Sequence, residues 1–508
     1  MNRREFLRTS AAGALATAAL PTVGRADRRP NILYVFSDQH RAVSLPGEPH
    51  NEAQAPHLAR FRSENLSMER CVSNYPLCTP YRGILMSGRW PQQTGLLHNN
   101  IALGTDEYSL GRAFRDAGYR TAYVGKWHLQ GGHIDFIPPG PGRQGFDDWH
   151  VWVKTNAHYR SWTFDPVTGE TIRPRGWNCT LMTDQAIGFL KRQRGADTPF
   201  FLALSWNPPH PPFNPPPRVA KRYRTGRLGT RPNVHLNAVA HPAGEEKALQ
   251  SDAALQTAMA GYYGGITGVD VEFGRLLDAL DATGLAEDTI VVYTSDHGEM
   301  LGSHGRMAKQ VPFEESCRVP FFVRWPGRTV AGGAPQQLFA TVDIYPTLCG
   351  LAGVPVPEHC VGRDHSAVMR GDSVAPSPHA FLMNQVGTLE GIEDDGLVDA
   401  IEGTGKRGKA GRRRPRRHSG HAAARQFMNE PTYRGVRTDT HTYAVAESGR
   451  WCLFDNRADP FQTNNLVGDP AQKPLMDELD KAISAWLTSA GDAFLYAEAI
   501  GKTSGFPT

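Results

Sequence analysis

Five short apolar runs constrain this chain more than any other feature: Ile32–Phe36, Thr121–Val124, Phe200–Trp206, Thr289–Thr294 and Val319–Trp325. Each is rich in β-branched or aromatic residues and none alternates, which is the pattern of strands buried on both faces in a parallel sheet. Helical patterns lie between them at Tyr108–Ala117, Leu181–Arg192 and Val269–Ala282. Strands alternating with helices predict an α/β domain built on a mainly parallel sheet. Four of the runs lead directly into polar residues: Ser37-Asp38-Gln39, Gly125-Lys126-Trp127-His128, Asn207-Pro208-Pro209-His210 and Ser295-Asp296-His297-Gly298. Open α/β sheets bind ligands beyond the carboxyl ends of their strands, so this edge is the predicted site.

The chemistry of those residues narrows what binds there. Asp38-Gln39 and Asp296-His297 come from strands far apart in sequence and together offer carboxylates, an amide oxygen and an imidazole. That set suits a hard divalent cation, calcium or magnesium first, and the imidazole leaves manganese open. Taken singly, an Asp at a strand end caps a turn as readily as it binds metal. The second signal is Cys78-Thr79-Pro80-Tyr81-Arg82. Cys-x-Pro-x-Arg occurs once in the chain, and none of the other six cysteines carries it. A lone cysteine is usually a packing residue; it is the conjunction with the strand-end residues that speaks against that here.

On these motifs the sequence resembles the type I sulfatase family of the alkaline-phosphatase-like superfamily. The resemblance runs through most of residues 30–375. It resumes at Tyr433-Arg434-Gly435-Val436-Arg437 and from Leu453-Phe454-Asp455 to Asn465-Leu466, which are similar to that family's C-terminal subdomain. It implies a large mixed, mainly parallel sheet flanked by helices, with a smaller α+β subdomain of antiparallel sheet plus helix. It implies that Cys78 is oxidised to formylglycine by a formylglycine-generating maturation enzyme, with Thr79-Pro80-Tyr81-Arg82 as part of the recognition signal. A hydrated aldehyde carries two hydroxyls on one carbon: one attacks sulfur, and loss of a proton from the other re-forms the carbonyl and expels sulfate. By matching motif, Asp38, Gln39, Asp296 and His297 are implied metal ligands, joined by an oxygen of modified residue 78. Arg82 is implied to hold the diol. Lys126 is implied to bind sulfate, and His128 to take the diol proton. His210 and Lys309, the latter after Gly302-Ser303-His304-Gly305, are implied to contact sulfate and the bridging oxygen, His210 as general acid and Lys309 as electrostatic partner. His98, Trp127 and His304 are read as structural.

Two departures bear on the substrate. Many family members carry Asp where this chain has Gln39 and Asn where it has His297; Gln39 removes one negative charge from the metal site. The Asp-Gln/Asp-His pairing resembles branches that include choline sulfatases and phosphonate monoester hydrolases. The expected activity is hydrolysis of sulfate monoesters, of a small molecule or a polysaccharide and most simply of sulfated carbohydrates. Phosphonate monoester or phosphodiester hydrolysis on the same fold is the alternative. Trp149, Trp152, Tyr159 and Trp162 are candidates for stacking on sugar rings or for ordinary packing.

The ends of the chain carry different information. Arg3-Arg4-Glu5-Phe6-Leu7, an apolar stretch from Ala11 to Leu20 and small residues up to Ala26 read as a twin-arginine signal peptide over 1–26. The expected product is periplasmic or secreted, with cysteine oxidation preceding export. The apolar stretch is too short for a stable membrane anchor. The catalytic domain is expected over 27–375 and the C-terminal subdomain over 376–508. Strands are expected within Tyr433–Val445 and Trp451–Asp455, and a helix at 472–489. Within that part, 388–428 reads as a mobile surface insertion with eight Lys or Arg between Lys406 and Arg417. Such a run could hold an anionic polymer or surface, but it lacks the interleaved aromatics of base stacking. A net charge of +4 gives no global call for nucleic acid or membrane. The seven cysteines show no zinc spacing and no Cys-x-x-Cys.

Overall fold

The computed structural model describes residues 28–132, 135–153, 156–223, 227–236, 251–385, 432–492 and 494. The signal peptide and the basic insertion expected from the sequence lie outside the described residues. In chain order the strands of the catalytic part are β1 (Asn31–Asp38), β2 (Leu66–Ser67), β3 (Arg70–Val72), β4 (Arg120–Lys126), β5 (Asp148–Trp152), β6 (Thr163–Phe164), β7 (Thr171–Ile172), β8 (Phe200–Pro209), β9 (Thr289–Ser295), β10 (Phe321–Arg324) and β11 (Leu338–Ala340). Those of the C-terminal part are β12 (Ala380–Asn384), β13 (Tyr433–Arg437), β14 (His441–Ala446) and β15 (Gly449–Asp455).

Seven strands form the main sheet in the order β2-β10-β9-β1-β8-β4-β5. The inner pairs β9-β1, β1-β8, β8-β4 and β4-β5 are parallel. Their registers bring the carboxyl ends together: Ser37 pairs with Ser295, Asp38 with Pro209, and Gly125 with Ser205. The run expected as a parallel strand at Val319–Trp325 is β10, and it runs antiparallel to β9. A strand buried on both faces has the same apolar signature in either direction, so its sense is set by the connection and not by its residues. Strand β5, Asp-Trp-His-Val-Trp, escaped the sequence reading because it mixes polar and apolar residues at the sheet edge.

The expected helices at Tyr108–Ala117 and Leu181–Arg192 are present as Leu110–Asp116, capped by the Ser109 side chain, and Asn178–Arg192. The third is much longer than expected, Asp252–Thr283. The Ser251 side chain accepts from Ala254 N at its start, and Gly284 ends it in a left-handed conformation. Its first half is hidden in the sequence by glycines, which lower helix propensity. They are needed for close approach. A Cβ on Gly261 would lie 2.4 Å from Phe213 O, on Gly264 2.6 Å from Pro215, and on Gly268 2.5 Å from Trp177. The proline-rich stretch after β8 therefore lies directly against this helix, which fixes the loop that carries His210.

The four C-terminal strands form an antiparallel sheet in the order β12-β13-β14-β15. The expected strand region Tyr433–Val445 is a hairpin, β13 and β14, turning at Thr438-Asp439-Thr440. A helix, Lys473–Ala490, packs on this sheet. The sheet is not an independent body, because Tyr75, Leu77, Ile84 and Trp90 share one apolar cluster with Tyr433, Val436, Trp451 and Trp486. Trp149 packs on Tyr123 and Trp127 in one apolar cluster and Trp152 belongs to another, so both are packing residues; Tyr159 and Trp162 are half-buried. Among the described residues no helix is long and apolar enough to cross a membrane.

Candidate active site

The strand ends and one helix start converge at the carboxyl edge of the sheet. Cys78 is the first residue of the helix Cys78–Ser87, whose residues are all buried. Its thiol therefore sits at the positive end of the helix dipole. Cys78 Sγ lies 3.3 Å from His297 Nε2, 3.7 Å from Asp38 Oδ1 and 3.8 Å from Lys126 Nζ. Burial first, and the Asp38 charge second, push the thiol pKa up to about 11. At neutral pH it is a protonated thiol and a poor nucleophile as it stands.

Asp38, Asp296, His297 and Cys78 bring one ligand atom each to within 4.8 Å of one another. His297 Nδ1 donates to Gly298 O at 3.1 Å, which leaves the Nε2 lone pair facing Asp296 Oδ1 at 3.5 Å and Asp38 Oδ1 at 3.7 Å. Burial, then Lys309, hold the His297 pKa well below its usual range, so the ring is neutral. Three acceptors facing one another in a fully buried space are stable with a cation among them, and the donor types fit a hard divalent ion. Gln39 borders this group. Its backbone N–H donates to Asp296 Oδ1 at 2.9 Å, its Oε1 accepts from Lys309 Nζ at 2.7 Å, and its amide nitrogen donates to Glu299.

Cations ring the carboxylates. Lys126 Nζ is 2.6 Å from Asp38 Oδ2. Arg82 reaches Asp38 Oδ2 at 3.4 Å and Asp296 Oδ2 at 3.3 Å, and donates to Lys126 O at 2.7 Å and Ser205 Oγ at 2.8 Å. Burial works against the charge on Asp38, but the Lys126 ammonium, with the Arg82 guanidinium, holds its carboxyl well below the usual range. Asp296 is pushed the other way, by burial and by its neighbour Asp38. Two carboxylates at one site divide in this manner because like charges resist ionising together.

The remaining predicted residues border the same space. His210 N donates to Asp38 O at 3.1 Å, and its Nδ1 lies 2.7 Å from Pro211 O. That leaves Nε2 toward Lys309 Nζ at 3.4 Å. Burial first, then Lys309 and Lys126, lower the His210 pKa well below its usual range. His128, two residues after Lys126, is buried with a positive φ of 59° and is pinned through its backbone to Val153 O and Thr79 Oγ1. His304 stacks on Phe313 at 4.1 Å and lies beside Asn233, and Trp127 is core; both are structural, as read from the sequence.

Three contributors escaped the sequence reading. Ser205 holds Arg82. Asn156 Oδ1 accepts from Lys126 Nζ at 3.0 Å. Glu299 accepts from Leu301 N and Ala308 N, as well as from Gln39, so it folds the loop that returns Lys309 to the site. Glu299 had a readable signal, an acid directly after Asp296-His297-Gly298. Ser205 and Asn156 had none without strand register.

The sulfatase family profile matches residues 30–354. An ulvan-active sulfatase of Formosa agariphila is 32% identical over 475 residues, spanning 92% of this chain and 82% of that protein. An endo-4-O-sulfatase of Bacteroides thetaiotaomicron is 28% identical over 93% of this chain and 94% of its own length. A solved Bacteroides thetaiotaomicron structure from work on the metabolism of multiple glycosaminoglycans superposes with a TM-score of 0.76 at 25% identity, covering 93% of this chain and 99% of that one.

Proposed function

Because the chain belongs to the type I sulfatase family of the alkaline-phosphatase-like superfamily, and so is a sulfuric ester hydrolase, we propose that it cleaves sulfate monoesters of carbohydrates with a formylglycine made from Cys78, beside a divalent cation, calcium first. The observation that carries this reading is the position of Cys78 Sγ. It lies within 3.8 Å of His297, Asp38 and Lys126 at once, inside the group of facing acceptors. The carbohydrate class is supported by relatives named for ulvan and for endo-4-O-sulfatase activity.

Asp38, Asp296 and His297 would hold the cation, with the second lone pair of the Gln39 amide oxygen, whose first is taken by Lys309. Once bound, the cation supplies Lewis acidity toward the attacking hydroxyl and a sulfate oxygen. The chain's own groups do the rest. Arg82, anchored by Ser205 and the Lys126 carbonyl, fixes residue 78 against the two carboxylates. Lys126 Nζ, beside both Asp38 and Cys78, neutralises sulfate charge as it develops. His128, two residues after Lys126, takes the second diol proton so that the carbonyl re-forms. His210 is neutral in the free site; arrival of an anionic ester favours its imidazolium, and the His210–Lys309 pair then delivers a proton to the leaving oxygen. The twin-arginine pattern of residues 1–26 supports maturation in the cytoplasm, followed by export to the periplasm or beyond.

The test is a substrate panel of sulfate monoesters, phosphate diesters and phosphonate monoesters, run on the wild type and on Cys78→Ala. Preference for sulfate, with turnover abolished in the variant, is expected. Full activity in Cys78→Ala removes the proposed nucleophile, and preference for phosphonate or phosphodiester moves the substrate class to the alternative.

A further inference from the structure

The segment after β5 enters the catalytic edge and brings two polar side chains with it. Asn156 reaches Lys126, as described above. His158, two residues on, is 3% exposed, which matches Cys78 at 2%, His210 at 2% and Lys309 at 5%. It is as enclosed as those site residues, and its segment lies against them through the contact of Asn156 with Lys126. Its position is held from outside. His158 O accepts from Asn178 N at 2.7 Å, at the first residue of the helix Asn178–Arg192, and Asn178 Nδ2 reaches Asn207 Oδ1 at 3.2 Å near the end of β8.

The ring's chemistry is equally constrained. The imidazole is hydrogen-bonded to the side chain of Asn214, four residues past His210, and it lies close enough to Asp38 and Lys126 to sense both charges. Burial holds its pKa down at about 4, with the Asn214 bond opposing that shift. At neutral pH the ring is therefore neutral with one N–H, and a bond that favours protonation marks that N–H as the donor to Asn214. The other nitrogen, Nε2, is buried without a hydrogen-bond partner among the described groups. A buried lone pair without a donor is disfavoured until something donates to it. An anionic neighbour has only acceptors to offer, whereas a sugar hydroxyl has the hydrogen that is needed.

We propose that His158 Nε2 accepts a hydrogen bond from a free hydroxyl on the sugar that carries the scissile ester, which makes His158 a specificity residue selecting a hydroxyl at that position over a second sulfate, an ether or no substituent. The inference rests on the reading that the ester binds against Cys78. Asn214 is a positioning residue: its side chain fixes the tautomer and so keeps Nε2 an acceptor.

The experiment measures kcat/KM of wild type, His158→Ala and His158→Gln on hexose monosulfates paired with analogues in which a hydroxyl beside the ester is removed, methylated or sulfated. The quantity read is the hydroxyl-to-deoxy ratio within each protein, so a loss of folded enzyme cancels. A site built around a substrate hydroxyl rejects the analogue lacking it strongly. The wild-type ratio is expected to be at least about 100 at one ring position, to fall below about 5 in His158→Ala, and to recover in part in His158→Gln, whose amide oxygen also accepts. Equal ratios in the wild type and His158→Ala, or a wild type that prefers the sulfated or deoxy analogue, overturn the proposal. Turnover of 4-nitrophenyl sulfate by the wild type separates the two levels of the argument. An enzyme that cleaves the aryl sulfate but gains nothing from the hydroxyl refutes the role of His158 alone; one that cleaves no sulfate ester removes the reading beneath it as well.

Discussion

Replacing Gly125 by Ala tests how tightly the carboxyl edge of the sheet must close. Gly125 has a φ of +106°, and a Cβ there would lie 1.9 Å from Ser205 O and 2.8 Å from Ser205 C. Those atoms belong to the backbone of the neighbouring strand, in register with Gly125, and cannot rotate away. Cβ contacts below 3.0 Å are essentially never observed, so β4 and β8 have to separate by about an ångström. The left-handed backbone adds roughly 1–2 kcal/mol for a residue with a Cβ. Both consequences fall on the site. Lys126 is the next residue, with Nζ 2.6 Å from Asp38, and Ser205 Oγ holds Arg82 at 2.8 Å. A misplacement of about 1 Å in such a site costs roughly 100-fold in rate. Steady-state kinetics on a chromogenic aryl sulfate, with denaturant unfolding of the same preparation, should show kcat/KM down by about 100-fold and stability reduced by about 2–4 kcal/mol. Activity within about threefold of wild type at unchanged stability would refute the claim that this contact sets the geometry.

Other perturbations follow from the same structure. Arg82→Ala leaves Asp38 and Asp296 buried with one counter-charge fewer, and breaking a buried pair of this kind should cost about 3–5 kcal/mol in denaturant unfolding. Arg82→Lys keeps the charge without the forked geometry and should fall between Arg82→Ala and wild type. Burial pushes Asp270, which caps the first turn of the helix Pro56–Glu64 through Leu58 N, up to about pH 7, far above an unfolded carboxyl at about 3.9. The folded state therefore binds the extra proton, and stability should fall as pH rises through that window. Asp270→Asn should flatten this slope, and thermal unfolding of both proteins at pH 5 and pH 8 checks it. A chelator should abolish sulfatase activity and lower the unfolding midpoint, with calcium restoring both; retention of both after exhaustive chelation would contradict a cation held by Asp38, Asp296 and His297.

The readable parts of the molecule were those whose physics is local. Strands β1, β4, β8 and β9 announce themselves because burial on both faces forces a continuous apolar run, and the residues at their ends mark the edge where the site lies. Strand β10 was found but not its direction, since direction leaves no trace in composition. Half of the helix Asp252–Thr283 was hidden because Gly261, Gly264, Gly265 and Gly268 trade helix propensity for contact with the loop that carries His210. In the site, Asp38, Gln39, Lys126, His210, Asp296 and His297 were found because each closes or closely follows a legible strand. Asn156 and Ser205 were not, because a polar residue acquires a role only when register places it, as the pairing of Gly125 with Ser205 places Ser205 beside Arg82. For Trp149 and Trp152 the sequence left sugar stacking and ordinary packing equally open, and the edge strand β5 turns both into the core.

The most direct measurement of the central claim is mass spectrometry of the peptide spanning residues 71–89 from catalytically active protein purified from its native host. The proposed chemistry predicts that Cys78 has lost its sulfur and carries an aldehyde, free or hydrated, in a fraction that tracks specific activity. An unmodified Cys78 thiol in fully active enzyme would contradict it and would leave the nucleophile to be supplied by water at the Asp38–Asp296–His297 group.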